Sequence, residues 1–438
     1  MHSNTRSRAT IFGLGGSSTN TALAILLTLL FLTFLILFIT FAAQPALGQT
    51  FTVLHNFTDG EDGALPFDGL VQDAAGNIYG TAYNGGYWGG DDCSSSGCGV
   101  VFKLTRTAAG WQFSTIYAFL GTPDAAFPLG GVVIGPDGNL YGSTQGGGSS
   151  GWGSVFQLRP PLHVGAAWTE TILHSFSLSS DGFGPWDAVT VDRAGNIYGT
   201  TRNGGAGGLG TVFMLTRANG QWEETILHSF TGPDGADPTS SVVLDTLGNV
   251  YGTTVGGGAG GGGVIFELSP SPSGWIQTIL RSFAFGPFGD DLWAGVTIDS
   301  SARLWGVGTG GGGRNAGTAF VLSPSNGSWN LGLLYTFDGR LLGANPYGPP
   351  ILDGTGNLYG TTQWGASDGG GLGAVYKLTN SAGVWTATSL HQFSGSDGMN
   401  PLSNLMLDAS GNLYGTTRWG GTGTACQYNC GVIFEIAP

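Results

Sequence analysis

From residue 50 onward, short apolar runs alternate with Gly-rich polar stretches, and this alternation itself repeats. Each unit holds four runs patterned like strands. The first is brief and ends at or near Asp, as in Leu70-Val71-Gln72-Asp73 and Val242-Val243-Leu244-Asp245. An Asp-x-x-Gly-Asn turn follows, in which Asp bonds its own backbone two residues on and Gly takes the positive φ of a tight hairpin. The second run reads Asn-Leu-Tyr-Gly-Thr-Thr. A Gly-rich loop leads to the third, Val-Phe-x-Leu, at Val101–Leu104, Val155–Leu158, Val212–Leu215, Ile265–Leu268, Ala319–Leu322, Val375–Leu378 and Ile433–Ile436. A polar turn ending in Trp opens the fourth, as in Thr225-Ile226-Leu227-His228-Ser229-Phe230.

The string Gly-Asn-(Ile/Leu/Val)-Tyr-Gly marks the period. Its Asn falls at Asn77, Asn139, Asn196, Asn249, Asn357 and Asn412, and a degenerate copy, Ala302-Arg303-Leu304-Trp305-Gly306, fills the one gap. Successive copies lie 62, 57, 53, 54, 54 and 55 residues apart. Seven similar four-stranded units predict an all-β, seven-bladed β-propeller, with residues 49–438 as the propeller. The last unit ends at its third strand, Ile433–Ile436, whereas an orphan fourth strand, Thr52–Phe57, precedes the first unit. Pairing the two completes blade seven and closes the ring, leaving only short blade edges.

Composition agrees with many short strands and tight turns: the 438 residues include 82 Gly, 12% are aromatic and only 10% are charged. Neither disorder nor collagen has this make-up. Residues 1–48 form a leader. Arg6 and Arg8 precede an apolar run over Ala22–Ala43, and Ala46 and Gly48 give the small-x-small pattern of a cleavage site before Gln49. The run is also long enough to span a bilayer, so a cleaved signal peptide and a retained anchor both stand. Either places the propeller outside the cytoplasm: secreted, periplasmic or at the cell surface. The formal charge is −14, and without Arg6 and Arg8 about −16, which argues against nucleic acid as a partner. The expectation is a monomer that meets a membrane only through an uncleaved leader.

The unit Asp-Gly-x-x-Pro … Asp-x-x-Gly-Asn-Leu-Tyr-Gly-Thr-Thr-x-x-Gly-Gly … Val-Phe-x-Leu resembles the bacterial GloVer-type (choice-of-anchor) tandem repeat over roughly residues 50–438. The resemblance implies an exported β-propeller and carries no catalytic residue across. Copy five departs most, with Arg303 and Trp305 where Asn and Tyr recur.

If the first run is innermost and the fourth outermost, the Gly-rich loops share a face with the inter-blade connections. Those connections carry Asp62, Asp124, Asp181, Asp234, Asp290-Asp291 and Asp397. On this face the residue after Thr-Thr varies: Tyr83, Gln145, Arg202, Val255, Gln363 and Arg418. Trp88, Trp152, Trp364 and Trp419 lie in the same loops. Aromatic rings stack on sugar faces, and Arg and Gln bond hydroxyls. Tyr83, Trp88, Gln145, Trp152, Arg202, Gln363, Trp364, Arg418 and Trp419 are therefore the candidate ligand residues, with a glycan or cell-envelope polymer as partner. The competing reading is that these rings fill gaps left by glycine.

Residues that recur at one repeat position read as packing: Trp111, Trp168, Trp222, Trp275, Trp329 and Trp385 before strand four, and His55, His174, His228 and His391 within it. No catalytic residue, metal site or cofactor is assigned, although the Asp-Gly corners leave Ca²⁺ open. Cys93 with Cys98, and Cys426 with Cys430, suit two local disulfides of an oxidising compartment, with cross-pairing or a four-Cys zinc site as alternatives. The expected function is a binding or scaffold module. The alternative is a polysaccharide-acting enzyme, hydrolase or lyase, using loop-face carboxylates such as the inter-blade Asp residues.

Overall fold

The computed structural model describes residues 49–163, 165–178, 181–365 and 371–438; the leader expected over 1–48 lies outside them. The described chain is a seven-bladed β-propeller. Blade one comprises Val71–Gln72, Ile78–Ala82, Val100–Thr107 and Gly110–Ala118 in that order from the axis outward, all antiparallel. Blades two to six repeat this order. A single helical turn, Gly90–Cys93, interrupts the first Gly-rich loop. In blade seven the outermost place is taken by Thr50–Asn56, which pairs antiparallel with Val432–Ala437, so the expected closure is formed.

The repeated motif follows from three local demands. The turn Asp satisfies the hairpin by itself: Asp73 accepts the Ala75 and Asn77 amide N–H groups, the Asn77 side-chain amide at 2.7 Å and the Tyr79 hydroxyl at 3.0 Å. The same set recurs at Asp192, Asp245, Asp353 and Asp408. The degenerate blade five keeps the donors while changing the residues. Arg303 Nε and Trp305 Nε1 reach Asp299 at 2.7 and 2.9 Å.

The glycine of Tyr-Gly faces the Phe of strand three. A methyl group at Gly80, Gly199 or Gly252 would meet the Phe102, Phe213 or Phe266 ring at 2.5–2.6 Å, closer than carbon atoms approach. The first Thr of Thr-Thr fastens its blade to the next. Thr81, Thr200, Thr361 and Thr416 donate to the carbonyls of Gly130, Ser240, Ser403 and Asp68, and Ser143 does the same to Asp187. The Thr416 bond joins blade seven to blade one. The recurrent Trp closes the gap between blades, as Trp111, Trp168 and Trp329 each meet a Tyr of the preceding blade edge-on (Tyr414, Tyr79 and Tyr251).

Three of the strand-four histidines are also structural. His55, His228 and His391 contact Asp62, Asp234 and Asp397 at 2.9–3.0 Å, and each of those carboxylates also accepts a hydroxyl and a backbone N–H from its own corner. The inter-blade Asp residues therefore lock corners onto the outer strands. Both disulfides are local, Cys93–Cys98 and Cys426–Cys430, which removes the cross-paired and four-Cys zinc alternatives.

Candidate functional site

The lumen on the loop face is shaped by a conformation that recurs in all seven blades. One corner residue is left-handed in every copy: Leu65, Phe127, Gly184, Asp237, Asp291, Asn345 and Asn400, with φ between 53° and 65°; Pro follows it in six copies and Leu292 in blade five. That backbone is costly for residues other than glycine and persists only where its surroundings hold it. Here they do. Leu65, Phe127, Asp237 and Asn400 donate N–H to Cys430, Cys98, Leu209 and Leu372 of the preceding blade's loop. Their carbonyls accept the N–H of the residue after Thr-Thr, namely Tyr83, Gln145, Val255 and Arg418. The reversal delivers the second residue after it to the axis.

One repeat position thus supplies seven different side chains to one cavity: Phe67, Leu129, Trp186, Thr239, Trp293, Tyr347 and Leu402. The cavity encloses about 430 Å³ and is also bordered by Tyr83, Gln145, Gln363 and Arg418, all from the position after Thr-Thr. Small-molecule sites commonly fall between about 300 and 1,000 Å³. Thr239, small in a series of large residues, stands between Trp186 and Trp293 in the ring order, and those rings meet at 5.9 Å. Trp293 in turn stacks on Tyr347 at 6.0 Å. The result is a continuous aromatic wall from three blades.

Two arginines are held against this wall and its opposite side. Arg202 lies over the Trp186 ring at 4.3 Å and near Trp293 at 5.5 Å; Arg418 is sandwiched between Phe67 at 4.5 Å and Trp419 at 4.3 Å. Tyr83 donates to Gln145 at 2.9 Å, which fixes both side chains. Burial pushes the Tyr347 hydroxyl up to about 12, reinforced by Asp187 and opposed by the two arginines, so it is a neutral donor. Three polar atoms in the wall are buried without a protein partner: Thr239 Oγ1, Asn404 Oδ1 and Arg418 Nε.

Asp68 and Asp187 also border the cavity. Each ties its own blade to the next, Asp68 by accepting the Gly131 N–H and Asp187 by accepting the Ser241 N–H at 2.6 Å. The two carboxyl groups lie close enough to interact electrostatically. Burial first, then the adjacent Asp68 charge, raises the Asp187 carboxyl well above the usual carboxylate range. Glycine makes this crowding feasible. A methyl at Gly69, Gly130 or Gly348 would collide with Asn404, with the Asp187 backbone or with the Ser403–Asn404 backbone.

Of the nine residues singled out from sequence, Tyr83, Gln145, Gln363 and Arg418 border the cavity and Arg202 packs on two of its rings. Trp88, Trp152 and Trp364 stand elsewhere, 40–45% exposed on the loop face; Trp364 and Trp152 contact Trp419 and Phe183. Trp419 touches the site only through Arg418. The inter-blade Asp62, Asp124, Asp234 and Asp397 are engaged at the outer strands and do not border the lumen. Sequence reading missed Phe67, Trp186, Trp293, Tyr347 and the Asp68–Asp187 pair. The available signal was the residue after the corner Pro (after Leu292 in blade five), which is large in six of the seven copies and changes between them.

The family described as the Gloeobacter/Verrucomicrobia repeat matches the chain over residues 40–163, 87–320 and 271–438. No curated protein matches it. Among solved structures, the chain is similar to an ancestral GH74 enzyme with a TM-score of 0.51 and 12% identity, covering 85% of this chain and 51% of that one. It is also similar to a Bacteroides uniformis protein described as a 6-phosphogluconolactonase (TM-score 0.48, 16% identity, 77% of this chain and 88% of that one). A Thermus thermophilus protein described as an oxidoreductase (glucose dehydrogenase) gives a TM-score of 0.40 at 13% identity, over 89% of this chain and all of that one. At these identities the likeness is one of fold.

Proposed function

The chain belongs to the Gloeobacter/Verrucomicrobia repeat family, and on that premise we propose that it is an exported binding propeller whose lumen takes a carbohydrate. The observation that carries this reading is the pairing of an aromatic wall with unpartnered polar atoms of both kinds. Trp186, Trp293 and Tyr347 offer flat apolar faces; Arg418 Nε donates, Asn404 Oδ1 accepts and Thr239 Oγ1 does either. Buried polar atoms without partners cost roughly 1–3 kcal/mol each. A ligand rich in hydroxyls, with apolar ring faces between them, relieves that cost and stacks at the same time. The two disulfides support an oxidising compartment outside the cytoplasm.

The Asp68–Asp187 pair favours a second reading, a hydrolase or lyase acting on the same ligand. Two adjacent carboxyl groups, one of them with a raised proton affinity, are a recurring acid–base device. Against it, both groups already accept backbone N–H bonds that latch neighbouring blades. The binding reading is therefore preferred. A glycan array with the purified protein, followed by product analysis on any ligand retained, tests both. Retention without turnover supports the binding module, turnover abolished by Asp187→Asn supports the enzyme, and an array with no retained glycan refutes the carbohydrate assignment.

A further inference from the structure

A second site lies away from the lumen, where blades two and three meet at their outer strands. The corner described above recurs around the ring: a strand-four residue, the Asp of the connection, and the residue four places earlier on strand four of the next blade. In three corners strand-four His meets Asp directly, at 2.9–3.0 Å. In two of these the third residue is Phe: Phe113 stacks on His55 at 3.8 Å and Phe51 on His391 at 3.6 Å. At the third, Gln277 donates instead to the Asp234 carbonyl at 2.9 Å.

The corner of His174 differs. Its third residue is Glu224, and the direct His–Asp contact is open: His174 Nε2 stands 3.7 Å from Asp181 Oδ2 and 3.6 Å from Glu224 Oε1. All three ligand atoms lie within 4.8 Å of one another. His174 Nε2 and Glu224 Oε1 are buried without a hydrogen-bond partner, while Asp181 is positioned by Ser177. A tetrahedral ion with N and O ligands at about 2.0–2.2 Å has ligand–ligand edges of roughly 3.3–3.6 Å. The two measured edges are close to that spacing and too long for hydrogen bonds.

We propose that His174, Asp181 and Glu224 form a binding site for a divalent transition-metal ion of the zinc class, which staples blade two to blade three. One imidazole and two carboxylates match borderline cations with a low coordination number, whereas Ca²⁺ and Mg²⁺ require six or more oxygen ligands or retained waters. The side chains are 12–21% exposed, so a water from solvent completes the fourth position.

The neighbouring corner between blades one and two supplies the contrast. There Tyr117 replaces His, and its hydroxyl fills the space by approaching Asp124 at 3.2 Å and Glu170 at 3.3 Å. No nitrogen ligand is present, and the geometry is that of a hydrogen-bonded acid pair.

The test is titration of untagged, chelator-treated full-length protein with Zn²⁺ by calorimetry, and with Co²⁺ by visible absorption. One equivalent should bind, with the intense d–d bands of tetrahedral Co²⁺. At about 100-fold the dissociation constant, the melting temperature should rise by about 3 °C. Glu224→Gln and His174→Gln should each weaken binding at least about 10-fold, since each removes one of three protein ligands, while His228→Gln at the closed corner should leave it unchanged. Should His174→Gln fail to fold, Glu224→Gln and the wild-type Co²⁺ spectrum decide. Octahedral Co²⁺ bands, no stoichiometric Zn²⁺ uptake, or uptake insensitive to Glu224→Gln would each overturn the assignment.

Discussion

Phe57 offers a quantitative test of ring closure. It follows the strand Thr50–Asn56, is fully buried, and packs on Phe102 at 5.5 Å, Phe113 at 5.8 Å and His55 at 4.9 Å. Its repeat equivalent in blade three, Phe230, is also fully buried and packs on Phe266 at 5.3 Å and His228 at 4.8 Å. A buried Phe→Ala change costs about 3–5 kcal/mol through lost transfer energy and an unfilled cavity. A propeller of roughly 390 residues has an unfolding entropy near 0.8 kcal/mol/K, so that cost is a fall in melting temperature of about 4–6 °C. If the N-terminal strand completes blade seven, Phe57→Ala and Phe230→Ala lower the calorimetric melting temperature by similar amounts. If Phe57→Ala leaves it unchanged while Phe230→Ala lowers it, the N-terminal strand is not part of the ring and the closure argument fails.

Three further outcomes follow from the same packing. Glu170, pushed up to about 9 by burial and by Asp124, keeps its proton in the folded state far above the ordinary Glu range. Stability from this group is complete below about pH 4.5 and is lost as pH rises toward 9. Glu170→Gln should therefore stabilise by about 1–3 kcal/mol at pH 8 in urea unfolding, with no gain at pH 4. Gly199→Ala, which drives a methyl into the Phe213 ring, should cost about 1–3 kcal/mol in the same assay. Reducing Cys93–Cys98 and Cys426–Cys430, which close loops of separation 5 and 4, should remove about 2 kcal/mol each, read as a lower melting temperature in dithiothreitol.

Ring, blade count, closing strand and local disulfides were legible in the sequence because they rest on period and register, which a linear chain displays directly. The site was half legible. The residue after Thr-Thr still follows the course of strand two, so Tyr83, Gln145, Gln363 and Arg418 reach the axis as their position suggests. Trp88 lies past two glycines of positive φ, Gly85 and Gly86, where the loop turns back on its corner through the Ala64–Asn84 bridge. Its ring is carried outward. Trp186 and Trp293 were hidden for the opposite reason. Nothing in the corner sequences shows that Gly184 and Asp291 are left-handed, and that one backbone angle decides whether the next side chains meet solvent or the lumen. The Asp68–Asp187 contact joins residues 119 positions apart in non-adjacent blades, a proximity that only the closed ring creates.

The most direct test of the lumen as the ligand site is calorimetric titration with the tightest oligosaccharide from the array, using wild type, Trp186→Ala, Trp293→Ala and the exposed Trp364→Ala. Stacking on one aromatic face contributes about 1–2 kcal/mol, so each lumen variant should bind roughly 5–30-fold more weakly, and Trp364→Ala should match wild type. Affinity unchanged in both lumen variants but lost in Trp364→Ala would place the ligand on the outer loops and contradict the account.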